Sequence, residues 1–344
     1  MTTTGLLKCA ASVAALAIVS ACAGGSAVAP TGSALNTSYV GRTLFVNGRP
    51  TTAARLNPLP SYANLVPLKK KTAKDYEYII NDYGSYASQF DYPKSTQMIG
   101  QIQGAGGQGC TNAQFGYGKG IIWNAGRNSA SGSYLITEYQ VPSNKVIKSL
   151  PLNYQNTSSC AMNTSGDLAV GVLCSDSCGP AGQLLIFKNA TGKPTVYKTP
   201  LDREYFDGYD SSGNLFADGQ DSSYNFMLVE LPKGSSKAVT IKTSNSPSFP
   251  GSVQWDGTYL TVFDQNTADV YQYTVSGTTA TLKGTVSLSG TGDCAQTWIV
   301  KGLIYCGDAG NDVGEAYNYP AGGSAKATFS GSFDFPLGVT AAKK

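Results

Sequence analysis

Histidine is absent from all 344 residues. That excludes histidine general acid/base catalysis, Ser-His-Asp and Cys-His nucleophiles, and histidine-ligated metals. Charge is scarce at 14%, and no convincing amphipathic helix follows residue 25. The only long apolar run, Cys9 to Ala21, is too short to span a bilayer as a permanent helix. What the chain does contain is 40 Gly and 21 Tyr among many Ser, Thr and Asn, which favours short strands and tight turns over helices and predicts an all-β protein. The length allows one large β domain or two ordinary ones.

The first 21 residues read as an export signal, with Lys8 ahead of the apolar run. Val19-Ser20-Ala21-Cys22 resembles the bacterial lipobox, although Leu is usual where Val19 stands. The resemblance implies cleavage before Cys22 and lipidation of that residue, and several acyl chains would make attachment to a membrane lasting. An ordinary secretory signal cut after an Ala is the alternative. Residues 22–75 are expected to be a flexible basic tether, rich in Ala, Gly, Ser and Pro, with seven Lys/Arg against Asp75 alone. Within it, residues 39–50 alternate around Asn47-Gly48, consistent with a short hairpin. Export places the protein in the bacterial cell envelope, on the extracytoplasmic side of a membrane.

Residues 76–344 repeat. Similar segments start at 110, 160, 207, 251, 294 and 338, separated by 50, 47, 44, 43 and 44 residues. Each reads as strand, Gly-containing turn, strand, and the spacing approaches that of a four-stranded propeller blade. The last copy stops after one strand. Tyr76 to Gln103 would supply the three strands it lacks, predicting a six-bladed β-propeller closed by the C-terminal strand. Gly213 to Gly219 and Gly302 to Gly310 resemble the turn and second strand of NHL-type propellers and their bacterial six-bladed relatives. That resemblance implies architecture rather than activity. WD-repeat and kelch signatures are missing, and related propeller lyases need a His.

Blade topology sorts charge to two faces. Asp82, Asp176, Asp218, Asp264 and Asp308 close second strands, while Asp207 and Asp293 stand where the chain enters a blade beside the central channel; this predicts an acidic face. Lys94, Lys119, Lys145, Lys193, Lys233, Lys237 and Lys301 fall in the opposite turns, joined by Lys343 and Lys344. Tyr76 enters from the basic face, so the acidic one would look outward from the membrane. The repeated Asp is most simply structural, its carboxylate accepting backbone N–H bonds. Asp207, Asp210 and Asp293 are the candidates for a ligand or cation, Ca2+ being the hard ion such oxygens suit. The six-bladed lactonases bind metal in this way, but their Glu and Asn ligands have no counterparts at matching places. Trp255 and Trp298 occupy matching inner-strand positions and read as packing between blades, with a sugar-stacking platform as the sharper alternative.

Six cysteines follow Cys22, suiting disulfides in an exported chain. Cys294 with Cys306, and Cys160 with Cys174, would each face one another across a hairpin. Cys174 with Cys178 is a competing pair, which would leave Cys110 to Cys160. The expected function is a non-enzymatic binding or scaffold module for a protein, glycan or small ligand, with a metal-assisted lactonase-like hydrolase as the alternative. Nucleic acid is not an expected partner, because residues 76–344 hold 17 Lys/Arg against 21 Asp/Glu and the basic residues lack interleaved aromatics. A monomer is expected.

Overall fold

The computed structural model describes residues 43–46, 49–52, 75–81, 86–105, 107–111, 121–127, 134–141, 143–152, 157–173, 182–331, 333 and 335–343. The signal segment, Cys22, most of the tether, Asp82, Lys119, Cys174, Asp176, Cys178 and Lys344 lie outside the described residues. Among the described residues there is one 3-10 turn, Lys188–Ala190, and otherwise strand and loop. No helix there is long and apolar enough to cross a membrane.

Strands β1 (Thr43–Val46) and β2 (Arg49–Thr52) form the hairpin expected around Asn47-Gly48. The rest are antiparallel runs. β3 (Asp75–Asn81), β4 (Tyr86–Phe90) and β5 (Met98–Gln103) come first. Then follow β6 (Gln108–Thr111), β7 (Ile121–Arg127), β8 (Tyr134–Gln140) and β9 (Lys145–Pro151). The next unit is β10 (Thr157–Met162), β11 (Leu168–Val172), β12 (Gln183–Phe187) and β13 (Thr195–Lys198). β14 (Arg203–Tyr209), β15 (Leu215–Gln220), β16 (Phe226–Leu231) and β17 (Val239–Thr243) succeed it. β18 (Val253–Trp255), β19 (Leu260–Asp264), β20 (Asp269–Ser276) and β21 (Thr279–Ser289) form another. β22 (Cys294–Val300), β23 (Leu303–Asp308), β24 (Val313–Asn318) and β25 (Gly322–Phe329) form the last full run. Finally β26 (Pro336–Lys343) pairs antiparallel with β3, Val339 opposite Ile79 and Lys343 opposite Asp75.

Burial explains this order. First and second strands are covered on both faces, as in β14 and β15, whereas outer strands such as β21 alternate buried and exposed residues. First strands of successive units touch: β26 meets β6, β6 meets β10, β10 meets β14, β14 meets β18, and β22 meets β26. Between β18 and β22 the Gln254 side chain donates to the Ile299 carbonyl at 2.8 Å and accepts from the Ile299 N–H at 2.7 Å. The approach is tight. A Cβ on Gly208 would lie 2.3 Å from the Val253 oxygen, and one on Gly307 2.9 Å from the Gly338 oxygen.

Two disulfides brace these strands. Cys110–Cys160 joins β6 to β10, with Cα atoms 5.5 Å apart, and Cys294–Cys306 joins β22 to β23 at 5.9 Å. The pairing expected between Cys160 and Cys174 is therefore incorrect, and the competing Cys110–Cys160 bond forms. The reason is register: the turn between β10 and β11 is centred near residue 165 rather than 167, so Cys160 lies opposite Val170 and not opposite residue 174. The same counting finds Cys294 and Cys306 but misplaces their register. Cys294 lies opposite Asp308 and Cys306 opposite Thr297, and a bulge between them makes the bonded pair diagonal.

Leu337 and Val339 are fully buried, and Ala341 and Ala342 nearly so. Leu337→Ala is expected to lower unfolding free energy by roughly 2–5 kcal/mol in urea titration, the range for emptying a packed leucine site. Val146→Ala, at a side chain 60% exposed, is expected to stay within about 0.5 kcal/mol. Equal effects at the two positions would show that the last strand is not part of the core.

Candidate functional site

The most unusual chemistry lies where β10, β14 and β15 meet. Glu204 and Asp207 on β14 and Asp218 on β15 are all buried, Glu204 and Asp218 completely. A bulge in β10 between Thr157 and Cys160 breaks the usual alternation, so consecutive serines turn to the same carboxylates. Ser158 donates a hydrogen bond to Glu204 Oε2. Ser159 Oγ lies 2.7 Å from Asp207 Oδ1 and 3.4 Å from Glu204 Oε1. Having one proton, it serves Asp207 better. Glu204 fits only because residue 171 is glycine, since a Cβ there would fall 1.9 Å from Glu204 Oε2.

Burial pushes the Glu204 carboxyl well above the usual carboxylate range, and the neighbouring Asp207 and Asp218 charges add to this. Burial likewise raises Asp207, to about 7, against the lowering effect of the Ser159 hydrogen bond. Asp218 is also raised by burial, opposed by N–H donation from Gly251 and Phe206. Close carboxyls without water or a cation favour the neutral acid.

A cavity with room for about one water molecule adjoins Asp207, lined also by Ser159, Ser252, Gln254, Thr297 and Trp298. Asp207 Oδ2 and Trp298 Nε1 are buried without a hydrogen-bond partner. One accepts and the other donates, a combination suited to a small neutral polar group. An indole N–H presents its positive end, unlike the several oxygens a hard cation needs.

The three acids expected to hold a ligand or cation do not converge. Asp210 is absorbed by its own turn, accepting from Ser212 N–H, Asn214 N–H and the Asn214 amide at 2.8–2.9 Å. Asp293 is buried but does not line the cavity. Among the described residues, the only three His, Cys, Asp or Glu side chains close enough together to hold a metal are Cys294, Cys306 and Glu315, and both cysteines are in the disulfide. Trp298 is 5% exposed and packs in a core cluster, so it offers no face to a sugar. Trp255 is half-buried against another cluster.

The Asp residues that close second strands hold backbone. Asp308 accepts N–H bonds from Gly292 (2.7 Å) and Asp293 (2.8 Å) ahead of β22, and from Gly310 (3.0 Å) and Asn311 (3.2 Å) after β23. Asp264 holds Ser248, Phe249 and Asn266 in the same way. Asp218 receives Phe206 and Gly251. These carboxylates are buried, so the expected acidic face cannot come from them. Among the described residues the exposed carboxylate at that end is Asp312, with Asp202, Asp221 and Asp269 half-exposed.

No family model and no curated protein sequence matches the chain. Among solved structures it is similar to one titled "Crystal structure of Nidogen/Laminin Complex", at TM-score 0.61 and 10% identity, over 78% of this chain and 98% of that one. It is also similar to a functionally unknown protein from Desulfotomaculum acetoxidans DSM 771, at TM-score 0.52 and 12% identity, over 80% and 88% of the two chains. At such identities the likeness is one of fold, and the fold is a β-propeller.

The sign of the pH effect follows from Asp207. An unfolded aspartate titrates near 3.9, and the folded one at about 7. Its contribution to stability is thus full at low pH and is lost as pH rises through that window. Asp207→Asn keeps the shape without the charge. Its melting temperature is expected at or below wild type at pH 4, and to gain at least about 2 °C relative to wild type by pH 8, the shift that ~1 kcal/mol produces in a domain of this size. A difference independent of pH would show that Asp207 does not titrate in this window.

Proposed function

We propose that the chain is an exported lipoprotein, anchored to a bacterial membrane through Cys22, whose six-bladed propeller is a non-enzymatic binding or scaffold module. The pairing of β26 with β3 and the succession of touching first strands support a ring of six blades closed by the last strand. In such a ring the loop between β15 and β16 lies at the end opposite residue 75, facing away from the anchor.

The observation that carries the binding reading is Tyr224 in that loop. Its φ is 66°, in a region that bulky residues avoid, and the residue is 37% exposed, where the other exposed large apolar residues described are Met98, Val146, Ile147 and Val196. The conformation is held from several sides. Asp221 accepts N–H bonds from Ser223 (2.8 Å) and Asn225 (2.9 Å). The Gln220 amide donates to the Tyr224 carbonyl at 3.2 Å. The Arg203 guanidinium, paired with Asp202 at 3.0 Å, sits 4.4 Å from the ring centroid. A strained, pinned and exposed aromatic is a preorganised contact for a partner, because little side-chain entropy is lost on binding.

The alternative, a metal-assisted hydrolase of the lactonase type, would draw on Asp207 and Asp293. Stoichiometric Ca2+ or Zn2+ in purified protein, lost when both become Asn, would favour it. The binding reading makes a different prediction. Tyr224→Gly relaxes the backbone, so melting temperature is expected to fall by no more than about 2 °C, while capture of envelope glycan or protein by the immobilised chain falls at least tenfold. Capture unchanged by this substitution would rule out Tyr224 as the contact.

A further inference from the structure

Strand pairing fixes where the tether joins the propeller. Lys343 lies opposite Asp75, so residue 75 begins at the end where β26 stops. The first-to-second and third-to-fourth strand hairpins of every run turn at that same end. The parallel pairing of outer strands β17 with β21 and β21 with β25 gives neighbouring runs one common direction.

Those hairpins are rich in exposed lysine: Lys94, Lys145, Lys193, Lys233, Lys237 and Lys301. Four carboxylates described at the same end are tied into the turns. Asp91 is buried and 3.4 Å from the Lys94 ammonium. Asp167 accepts from the Asn189 N–H at 2.9 Å. Asp210 holds its turn, and Asp256 accepts from the N–H groups of Thr258 and Tyr259 at 2.7 Å each. The long lysine stems therefore carry the outermost charge, while the short carboxylates fold back on the backbone.

We propose that this hairpin end is a docking surface for an anionic bilayer, its lysines receiving phosphate-bearing lipid headgroups. The inference rests on the anchoring reading, and the anchor and the surface act together. The lipid at Cys22 holds the chain near the membrane, the lysines turn this end toward it, and the Tyr224 loop is presented on the far side. With the chain already held by its lipid, the lysine contacts form at high effective concentration and can each be weak.

Co-sedimentation of the full chain with phosphatidylcholine vesicles, with and without phosphatidylglycerol, tests this. Attachment through an acyl chain at Cys22 does not require anionic lipid, so the phosphatidylglycerol-dependent part is the readout. That part is expected to disappear at high salt and to weaken roughly fivefold for each lysine removed, the factor corresponding to ~1 kcal/mol. Lys193→Glu, Lys233→Glu and Lys237→Glu combined should abolish it with melting temperature unchanged. Equal binding to both vesicles overturns the proposal, as does a triple variant that binds like the parent. Mass spectrometry of the native chain examines Cys22 separately. An unmodified Cys22 with phosphatidylglycerol-dependent binding intact would remove the anchor and leave the surface standing. An acylated Cys22 without that dependence would do the reverse.

Discussion

The pairing of Pro336–Lys343 with Asp75–Asn81 is the constraint on which the other arrangements depend. Without it the run β3 to β5 would lack the strand that covers its inner edge, and β6 and β22 would each lose the neighbour that β26 supplies. Unpaired edges are templates for association with other chains. The link is made between residues more than 250 positions apart in sequence, so loop-closure entropy opposes it. The buried apolar side chains of β26 offset that cost, and so do bonds from Gln296, whose Oε1 accepts from the N–H groups of both Val339 (3.0 Å) and Gly109 (3.1 Å). One side chain from β22 thus bonds β6 and β26 together.

Crowding at the centre sets the next requirement. Where first strands approach so closely, the loops leading into them are buried and their N–H groups lack ladder partners. Asp264 and Asp308 meet this need with one carboxylate for each loop. A carboxylate accepting several backbone N–H bonds offers more lone pairs than any neutral side chain of its size. This explains the recurrence of Asp at second-strand ends without invoking a ligand. Glu204 and Asp207 differ, because serine hydroxyls from β10, rather than N–H groups of an entering loop, bond their carboxyls.

Architecture was legible in the sequence because each run spells strand, turn and strand at a nearly constant spacing, and because period-two alternation survives in the outer strands. The truncated last repeat pointed directly to residues 76–103. The inner strands were less readable. Buried on both faces, they show no alternation; the turn after β10 is centred nearer Cys160 than the letters suggest, and the bulge in β10 hides the convergence of Ser158 and Ser159 on Glu204. Depth was also beyond the sequence. Asp218, Asp264 and Asp308 could be assigned to one end of the propeller, but not to its interior. Tyr224 was lost among 21 tyrosines, since nothing in the letters Asp-Ser-Ser-Tyr-Asn marks a left-handed tyrosine. An Asp followed by Asn four residues on is a readable turn signal, and it occurs at Asp210 and Asp221 alike.

The two ends of the propeller use that turn differently. At Asp210 it closes a first-to-second hairpin at the end where the chain enters, and the residue with positive φ is Gly213, which adopts φ 89° without strain. At Asp221 it closes a second-to-third loop at the opposite end, and the corresponding position is occupied by Tyr224. The same loop chemistry therefore holds a glycine beside the lysines and a tyrosine away from them. Glycine is the cheaper solution at both, and folding alone would favour it. An aromatic where the backbone resists one concentrates strain at the end away from the lysines, and replacing it with glycine would relax that loop.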